Sequence, residues 1–379
     1  MHRSILVSTA FTIFSVAACN SSPSASSDLG VVSDSAVSAD LAFQVAAHPA
    51  WPQVINAGGP ILKNISIVTI TWAADPLSSQ LQAFDAWLPK SAYYTESLAE
   101  YGVFAGAQAA TWAVPTPAPA LLDDAGVHKL LNDAIASGAV PPANADRLYA
   151  IYPPQGTAVM LDGTTACSGF QAIHDSFPSS APGGAAVVMM IAPRCDPGTM
   201  TALDFVTWGA SHEIAEAATD PQPVANPSWS TTDLLLPNGG EIGDLCLGFP
   251  LPVEGHTVTA LWSNKAAAVD QRTCVPAPSG PMFGAFTSQS QVSIPAGGSA
   301  MIPVSLYATA PVSDLYAELY AYDPKLKVSA TQPAHNGDTL MFTVSAPAGY
   351  KTPAGGVTIA LYALTKEFHT ATYLTATVP

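Results

Sequence analysis

One short segment carries side chains whose types and spacing could do chemistry. It reads HEIAE over residues 212–216, with His212, Glu213 and Glu216 as the ionisable members. A helix turns about 100° per residue, so His212 and Glu216, four positions apart, would lie on one face. An imidazole nitrogen and a carboxylate oxygen are both ligands that zinc accepts. Glu213, about 100° further round, would reach a metal-bound water without binding the metal, which is the place of a general base.

This arrangement resembles the zincin metallopeptidases, whose HExxH helix supplies two metal ligands and an adjacent general base. The segment departs from that motif because Glu216 stands where the second histidine would be. With an anionic ligand in that place the ion would polarise water less, and harder divalent ions such as manganese or calcium would compete more strongly with zinc. The resemblance implies a zinc peptidase that acts on a peptide or protein substrate.

A catalytic zinc ion needs a third protein ligand, and two residues compete for this role. In the gluzincin branch of the zincins, a glutamate downstream of the helix motif is the third ligand, and an aspartate soon after it supports a histidine ligand. By this resemblance Glu241 is the third ligand and Asp244 the supporting partner. Asp220 is the alternative, because it lies about two helical turns beyond His212, on a face rotated somewhat from that of His212. We prefer Glu241.

Three separated motifs give a second resemblance. HEIAEAATDP (212–221), EIGDLC (241–246) and the upstream CSGFQAIH (167–174) are similar to segments of the bacterial members of the EXORDIUM or phosphate-induced protein family. The likeness covers roughly residues 60 to 250. The plant members lack the helix motif, which implies that the fold can persist without metal chemistry. The likeness makes His174 a candidate for contact with the substrate or transition state; the alternative is a structural histidine.

The N-terminus reads as an export signal over residues 1–18. A basic start precedes an apolar run from Ile5 to Ala18, which is too short for a comfortable membrane span. The run ends in VAAC, which resembles the lipobox of bacterial lipoproteins and implies lipidation of Cys19; a plain secretory signal is the alternative. We therefore expect a bacterial cell-envelope protein that meets the membrane only through its lipid anchor. Asn20 favours the outer membrane or cell surface.

The charge balance argues against a nucleic-acid partner. The chain has 379 residues, a net charge of -16 and only 11% charged residues, against about 25% in typical proteins. A surface this acidic repels phosphate backbones, and the sequence contains no cluster of lysine and arginine. The sequence leaves the oligomeric state open.

Four cysteines remain after Cys19, and an even number in an exported chain suggests two disulfides. They are Cys167, Cys195, Cys246 and Cys274. Three pairings are possible. We predict Cys167–Cys195 and Cys246–Cys274, because each pair then closes a short loop within one region.

The pattern of elements predicts two domains after a flexible tether at residues 19–47. Residues 48–281 should form a zincin-like mixed α/β domain, with strands near 65–72, 147–153 and 185–193, a helix over 121–138 and the motif helix over 199–219. Residues 282–379 show short alternating segments between turn residues, which predicts an all-β immunoglobulin-like sandwich.

Two functions of different classes are consistent with these features. The first is an exported, lipid-anchored, metal-dependent hydrolase, specifically a zinc peptidase with Glu213 as general base. The alternative is a non-catalytic binding or adhesion protein of the cell surface, in which the metal is structural or absent.

Overall fold

The computed structural model describes residues 43–51, 53–180, 183–231, 240–246, 250–276, 280–366 and 369–379. The predicted signal peptide, the lipidation site Cys19 and the tether up to residue 42 lie outside the described residues. Within the described ranges, no helix combines the length and apolar character that a membrane crossing requires.

The N-terminal domain mixes helices with many short strands. Its helices are α1 Ser78–Trp87, α2 Ala92–Leu98, α3 Asp124–Ala136, α4 Ala202–Thr219 and α5 Asn264–Ala267, with 3-10 turns at Leu88–Lys90, Ala99–Tyr101 and Asp244–Cys246. Its strands are β1 Ile55–Asn56, β2 Ser66–Trp72, β3 Ala107–Val114, β4 Leu121–Asp123, β5 Arg147–Ile151, β6 Ala158–Leu161, β7 Thr164–Thr165, β8 Ile173–Phe177, β9 Val187–Ile191, β10 Trp229–Ser230, β11 Pro250–Val253, β12 His256–Thr259, β13 Leu261–Trp262 and β14 Cys274–Val275.

Five strands form the central sheet of this domain, in the order β3-β2-β5-β9-β8. Four of them run parallel, and β8 pairs with β9 in the antiparallel direction at one edge. β2, β5 and β9 are buried along almost their whole length, because helices cover both faces of the sheet. One face packs against α1 and α4, with Phe84 and Ile214 in its core, and the other packs against α3, with Val127 and Leu131. The expected mixed α/β architecture is present.

α4 is the helix that the HEIAE segment predicts, and it is buried on all sides. It starts after Thr201, whose side-chain oxygen accepts a hydrogen bond from the backbone N of Asp204 at 3.1 Å, as an N-cap residue does. It ends at Thr219, because Asp220 precedes Pro221 and a residue that precedes proline avoids helical geometry. Every residue from Gly209 to Thr219 is buried. α4 contacts β5, β8, β9 and β12.

The observed elements differ from the predicted ones mainly at their ends. The helix predicted over 121–138 begins only at Asp124, because Asp123 caps it by accepting a hydrogen bond from the backbone N of Gly126 at 2.8 Å. The residues before it form the short strand β4. The sequence did not predict β3 or β8. β3 reads AQAATWAV, which is rich in alanine, a residue with low strand propensity.

The C-terminal region contains only strands among its described residues. They are β15 Phe283–Phe286, β16 Gln291–Ser293, β17 Ser299–Ala308, β18 Tyr316–Ala321, β19 Lys327–Val328, β20 Gln332–Pro333, β21 Thr339–Ser345, β22 Val357–Leu364 and β23 His369–Thr377. They form a four-stranded sheet, β15-β17-β21-β19, and a five-stranded sheet, β16-β23-β22-β18-β20. One apolar core, which includes Ile302, Phe342 and Leu361, fills the space between the sheets. Immunoglobulin sandwiches divide their strands between two sheets in this order.

Residues 43–51 lie between the two domains. Asn336 of the sandwich accepts a hydrogen bond from the backbone N of Ala46 at 3.1 Å and donates one to the backbone O of Gln44 at 2.7 Å. The ring of His48 stacks on Tyr307 with a centroid distance of 4.0 Å. Trp51 packs against the cores of both domains. Gln44 and Ala46, which lie in the last part of the predicted tether, are therefore hydrogen-bonded to the sandwich.

Both predicted disulfides are confirmed. Cys167 is bonded to Cys195, and Cys246 is bonded to Cys274. The first links the segment before β8 to the segment after β9. The second links the 3-10 turn at Asp244–Cys246 to β14. The second bond therefore fixes a segment that shares the core of α4.

Candidate metal centre

Three separate pieces of the chain bring ionisable side chains to one position beside α4. α4 and its C-terminal cap supply four of them, the edge strand β8 supplies one, and segment 240–246 supplies two. The set comprises His174, His212, Glu213, Glu216, Asp220, Glu241 and Asp244. All are buried except Asp244, whose side chain is 16% exposed. Because buried ionisable groups need compensation, this cluster calls for a partner charge.

His212, Glu216 and Asp244 form the tighter of two groups that could hold a metal ion. His212 Nε2 lies 3.1 Å from Glu216 Oε1 and 3.5 Å from Asp244 Oδ1. Tetrahedral ligands bound at about 2.0–2.2 Å lie about 3.3–3.6 Å from one another. Both distances from His212 Nε2 are close to this spacing, and the ligand atoms of all three residues lie within 4.8 Å of one another.

Segment 241–246 is held against α4 by its backbone. The backbone N–H groups of Gly243 and Asp244 donate to Glu216 Oε1 at 3.1 and 3.0 Å. A Cβ at Gly243 would lie 2.7 Å from His212 Nδ1 and 2.9 Å from Glu216 Oε1. Only glycine fits this close approach. The disulfide Cys246–Cys274 anchors the end of the segment, so the loop fixes the orientation of both helix side chains.

His174, Glu216 and Glu241 form the second group. His174 Nδ1 lies 3.8 Å from Glu216 Oε2, and His174 Nε2 lies 3.6 Å from Glu241 Oε1. The same imidazole lies 3.0 Å from Glu213 Oε2 through Nδ1 and 3.1 Å from the backbone O of Asp220 through Nε2. His174 therefore joins the edge strand to the acidic face of α4.

Two carboxylate oxygens of the cluster are buried without a hydrogen-bond partner among the described residues. They are Asp220 Oδ2 and Glu241 Oε1. An unsatisfied buried acceptor costs about 1–3 kcal/mol, and more when it is charged. A cation beside these oxygens would remove that cost, so the side chains of this cluster fit a divalent metal.

Burial and mutual repulsion raise the pKa of several carboxyl groups. Burial, followed by the charge of Asp244, raises the pKa of Glu216 to about 7. Burial and then the charge of Glu216 raise the pKa of Glu241 well above its ordinary value. Burial raises the pKa of Asp220 to about 6, although a hydrogen bond from the backbone of Ser228 opposes the shift. Protons therefore compete with a cation for these oxygens, and metal binding should release protons.

The two histidines shift against the effect of their burial. Burial lowers the pKa of His174, but the hydrogen bond to Glu213 and the charge of Glu213 outweigh it and raise the pKa to about 9. Burial also lowers the pKa of His212, but the charge of Glu216 and a hydrogen bond to Asp244 raise it well above its ordinary value. Both imidazoles favour the protonated form, so a metal ion has to displace their protons.

The structure distributes the predicted site residues differently from the sequence argument. His212 and Glu216 lie together, as the helical spacing predicts. Glu241, the expected third ligand, lies beside His174, and Asp244, the expected supporting residue, lies beside His212 Nε2. Asp220 Oδ1 accepts a hydrogen bond from the backbone of Ser228. Which of them bind an ion stays a prediction.

The sequence argument did not identify Gly243 as a functional position. The signal that could have found it is its place in EIGDLC, between the two acidic residues Glu241 and Asp244. A glycine between two candidate ligand positions indicates that the backbone approaches another group closely.

Comparisons with known proteins add little to this geometry. No family model matches the chain, and no curated protein matches it. Domains 4 and 5 of the S-layer protein SbsC match at 16% identity over 27% of this chain and 54% of that chain, with a TM-score of 0.20. A chimeric titin Z1Z2 structure matches at 15% identity over 27% of this chain and 98% of that chain, with a TM-score of 0.18. The first match spans about half of the SbsC structure. TM-scores as low as these do not support a conclusion about the fold.

Proposed function

We propose that the protein is a metal-dependent hydrolase, and specifically a peptidase. The observation that carries this proposal is the buried group of His212, Glu216 and Asp244, whose ligand atoms lie within coordinating distance of one another. One imidazole and two carboxylates suit zinc, and also harder divalent ions such as manganese. A bound divalent ion supplies Lewis-acid polarisation and lowers the pKa of a water molecule.

Glu213 is the general base in this proposal. It follows His212 directly on α4 and is 4% exposed. Its Oε2 accepts a hydrogen bond from His174 Nδ1 at 3.0 Å, and this contact holds the carboxylate in one orientation beside the ligand group. A carboxylate so placed can accept a proton from water and deliver it to a departing amine.

His174 is a positioning residue in this proposal. Its ring nitrogens lie 3.0 Å from Glu213 Oε2 and 3.1 Å from the backbone O of Asp220; direct contact with substrate, which the sequence resemblance implies, stays a prediction. Through Nδ1 it fixes the orientation of Glu213.

Two resemblances of the sequence support the same proposal. The HExxE segment is similar to the metal helix of the zincins, and the three motifs in residues 167–246 are similar to the bacterial EXORDIUM family. The predicted export signal and Cys19 would anchor the enzyme by a lipid in the bacterial cell envelope. We therefore propose a peptide or protein substrate in that compartment.

Metal analysis joined to a peptidase assay tests the proposal. The protein purified without chelator should contain a divalent ion and cleave an unstructured protein, and a chelator should abolish cleavage until metal is restored. His212→Ala should lose both metal and activity. A chain that binds neither zinc nor manganese in equilibrium dialysis would refute the proposal.

A surface binding protein is the second candidate function. The observation that favours it is the immunoglobulin strand order of residues 283–377, because such sandwiches are common in cell-surface domains. Metal that is retained without any hydrolysis of peptides would favour this candidate over the enzyme.

A further inference from the structure

The acidic cluster beside α4 contains more ligand groups than one ion needs. A catalytic zinc ion uses three protein ligands, and His212, Glu216 and Asp244 already provide three. His174 and Glu241 stand outside this group, and yet each offers an atom within 4.8 Å of Glu216 and of the other. Each group thus has one histidine and one carboxylate of its own, and the two groups have Glu216 in common.

Glu216 faces both groups with different oxygens. Its Oε1 lies 3.1 Å from His212 Nε2, and its Oε2 lies 3.8 Å from His174 Nδ1. Because Glu213 takes the hydrogen bond of His174 Nδ1, an ion on this ring would bind Nε2. Glu216 is within reach of that ion as a member of the group whose ligand atoms lie within 4.8 Å of one another. In two-metal hydrolases the ions lie about 3.5–4 Å apart, which one carboxylate can span.

The second group has an unsatisfied ligand of its own. Glu241 is 3% exposed, and its Oε1 has no hydrogen-bond partner in the part of the chain that the structure describes. This oxygen lies 3.6 Å from His174 Nε2, and the backbone O of Asp220 lies 3.1 Å from the same nitrogen. Neighbouring ligands of one ion bound at about 2.1 Å lie about 3.0–3.6 Å apart. Both distances from His174 Nε2 fall in this range, so the Nε2 side of the ring is where a second cation fits.

The charge of the cluster also supports two ions. Its five carboxylates belong to Glu213, Glu216, Asp220, Glu241 and Asp244. When all are ionised, one divalent ion leaves a charge of about -3 and two leave about -1 in a buried position, where uncompensated charge is costly. In the rival arrangement, with both histidines protonated as counterions, Glu241 Oε1 has His174 Nε2 as a charge partner at 3.6 Å but no hydrogen bond.

We infer that the cluster binds two divalent ions, one at His212, Glu216 and Asp244 and one at His174, Glu216 and Glu241. Glu216 bridges them. Glu213 then has a second task, because its contact with His174 Nδ1 fixes the ring for metal binding. This inference rests on the metal-dependent function proposed above and places the protein in the two-ion class of hydrolases.

Metal stoichiometry tests the inference directly. The full chain is stripped with a chelator, dialysed to equilibrium against Zn²⁺ or Mn²⁺, and analysed for metal per chain. Two ions per chain are expected. One ion per chain would overturn the second site and leave the proposed hydrolase intact, whereas no bound ion would overturn both.

Three substitutions assign the ions to their ligands. Glu241→Gln and Asp244→Asn should each reduce the metal content from two ions to one, and Glu216→Gln should weaken the binding of both. Glu96→Gln is the matched control, because Glu96 is an exposed glutamate on α2, outside the cluster. Unchanged stoichiometry in Glu241→Gln would overturn the second site.

An electron paramagnetic resonance spectrum of the Mn²⁺-loaded wild type needs no variant. Two ions bridged by one carboxylate should give a spin-coupled spectrum at full loading. Glu241→Gln, if it folds, should show the spectrum of an isolated ion. An uncoupled spectrum in the fully loaded wild type would overturn the bridged pair.

Discussion

Replacing Glu213 by glutamine should separate proton transfer from metal binding. Glutamine has nearly the same shape, and its side-chain oxygen can accept the hydrogen bond that His174 Nδ1 donates to Glu213 at 3.0 Å. The ligand groups should therefore survive, but glutamine cannot accept a proton. A positioned general base contributes about 10²–10⁴-fold to rate, which corresponds to about 3–5 kcal/mol of activation free energy. We expect kcat/KM to fall by at least about 10²-fold.

The assay follows cleavage of a fluorogenic peptide, and the metal content of the same sample is measured beside it. Glu96→Gln, the exposed control on α2, should keep both metal and rate. Glu213→Gln should keep the metal and lose the rate. Undiminished cleavage by Glu213→Gln, in protein free of contaminating peptidases, would refute its role as the base. A loss of metal together with activity would refute the separation of the two roles.

Three further outcomes are expected. Gly243→Ala should weaken zinc binding about tenfold or more, because the new Cβ would lie 2.7 Å from His212 Nδ1 and overpacking typically costs about 1–3 kcal/mol. An unchanged Kd for zinc in calorimetry would contradict this. Burial raises the pKa of Asp85 from 3.8 to about 7. Between these two pH values the folded state therefore holds more protons than the unfolded state. The free energy of unfolding should fall by up to roughly 4 kcal/mol as the pH rises through this range. Asp85→Asn should flatten this dependence in urea unfolding at about pH 5 and about pH 8, and an unaltered slope would count against it. Breaking Cys246–Cys274 with the double alanine variant should lower Tm and metal affinity together, as scanning calorimetry with and without zinc would show; unchanged values would mean that the disulfide does not anchor the loop.

Local periodicity was enough to place the central helix of the site. The spacing of His212 and Glu216 predicts that they share one face of a helix, and in α4 their ligand atoms lie 3.1 Å apart. The Asp-Pro pair at 220–221 predicts the end of the helix within one residue. These features depend on neighbours in the sequence, so they can be read without tertiary structure.

The pairing of ligands from distant segments could not be predicted in the same way. Glu241 lies beside His174 and Asp244 beside His212 because the backbone N–H groups of Gly243 and Asp244 bind Glu216 Oε1. That path of the loop depends on the absence of a side chain at Gly243 and on its anchor at Cys246. Neither effect has a local periodicity, so the sequence could nominate the acidic residues without assigning their partners.

The strand β8 could not be predicted from the sequence for a related reason. Its sequence, IHDSF, contains polar residues where a central strand would be apolar. β8 lies at the edge of the sheet and runs antiparallel to β9. Ile173 and Phe177 face the core beside α3, and His174 faces α4. This edge position delivers His174 to Glu213. The polar residues of β8 belong to the site, so strand propensity alone does not predict this strand.

The acidic face of α4 is difficult to explain by stability alone. A helix buried on every side is ordinarily apolar, because each unsatisfied polar group costs about 1–3 kcal/mol and charged groups cost more. α4 nevertheless carries His212, Glu213 and Glu216 among its buried residues, and the loop adds Glu241 with an unpartnered oxygen. The surrounding residues of α4 are mainly small and apolar, which shows that the position could have been filled by packing. Where a protein breaks a local rule in this way, the compensating gain is usually functional, and the proposed cation would be the partner of the oxygen that Glu241 leaves without a hydrogen bond.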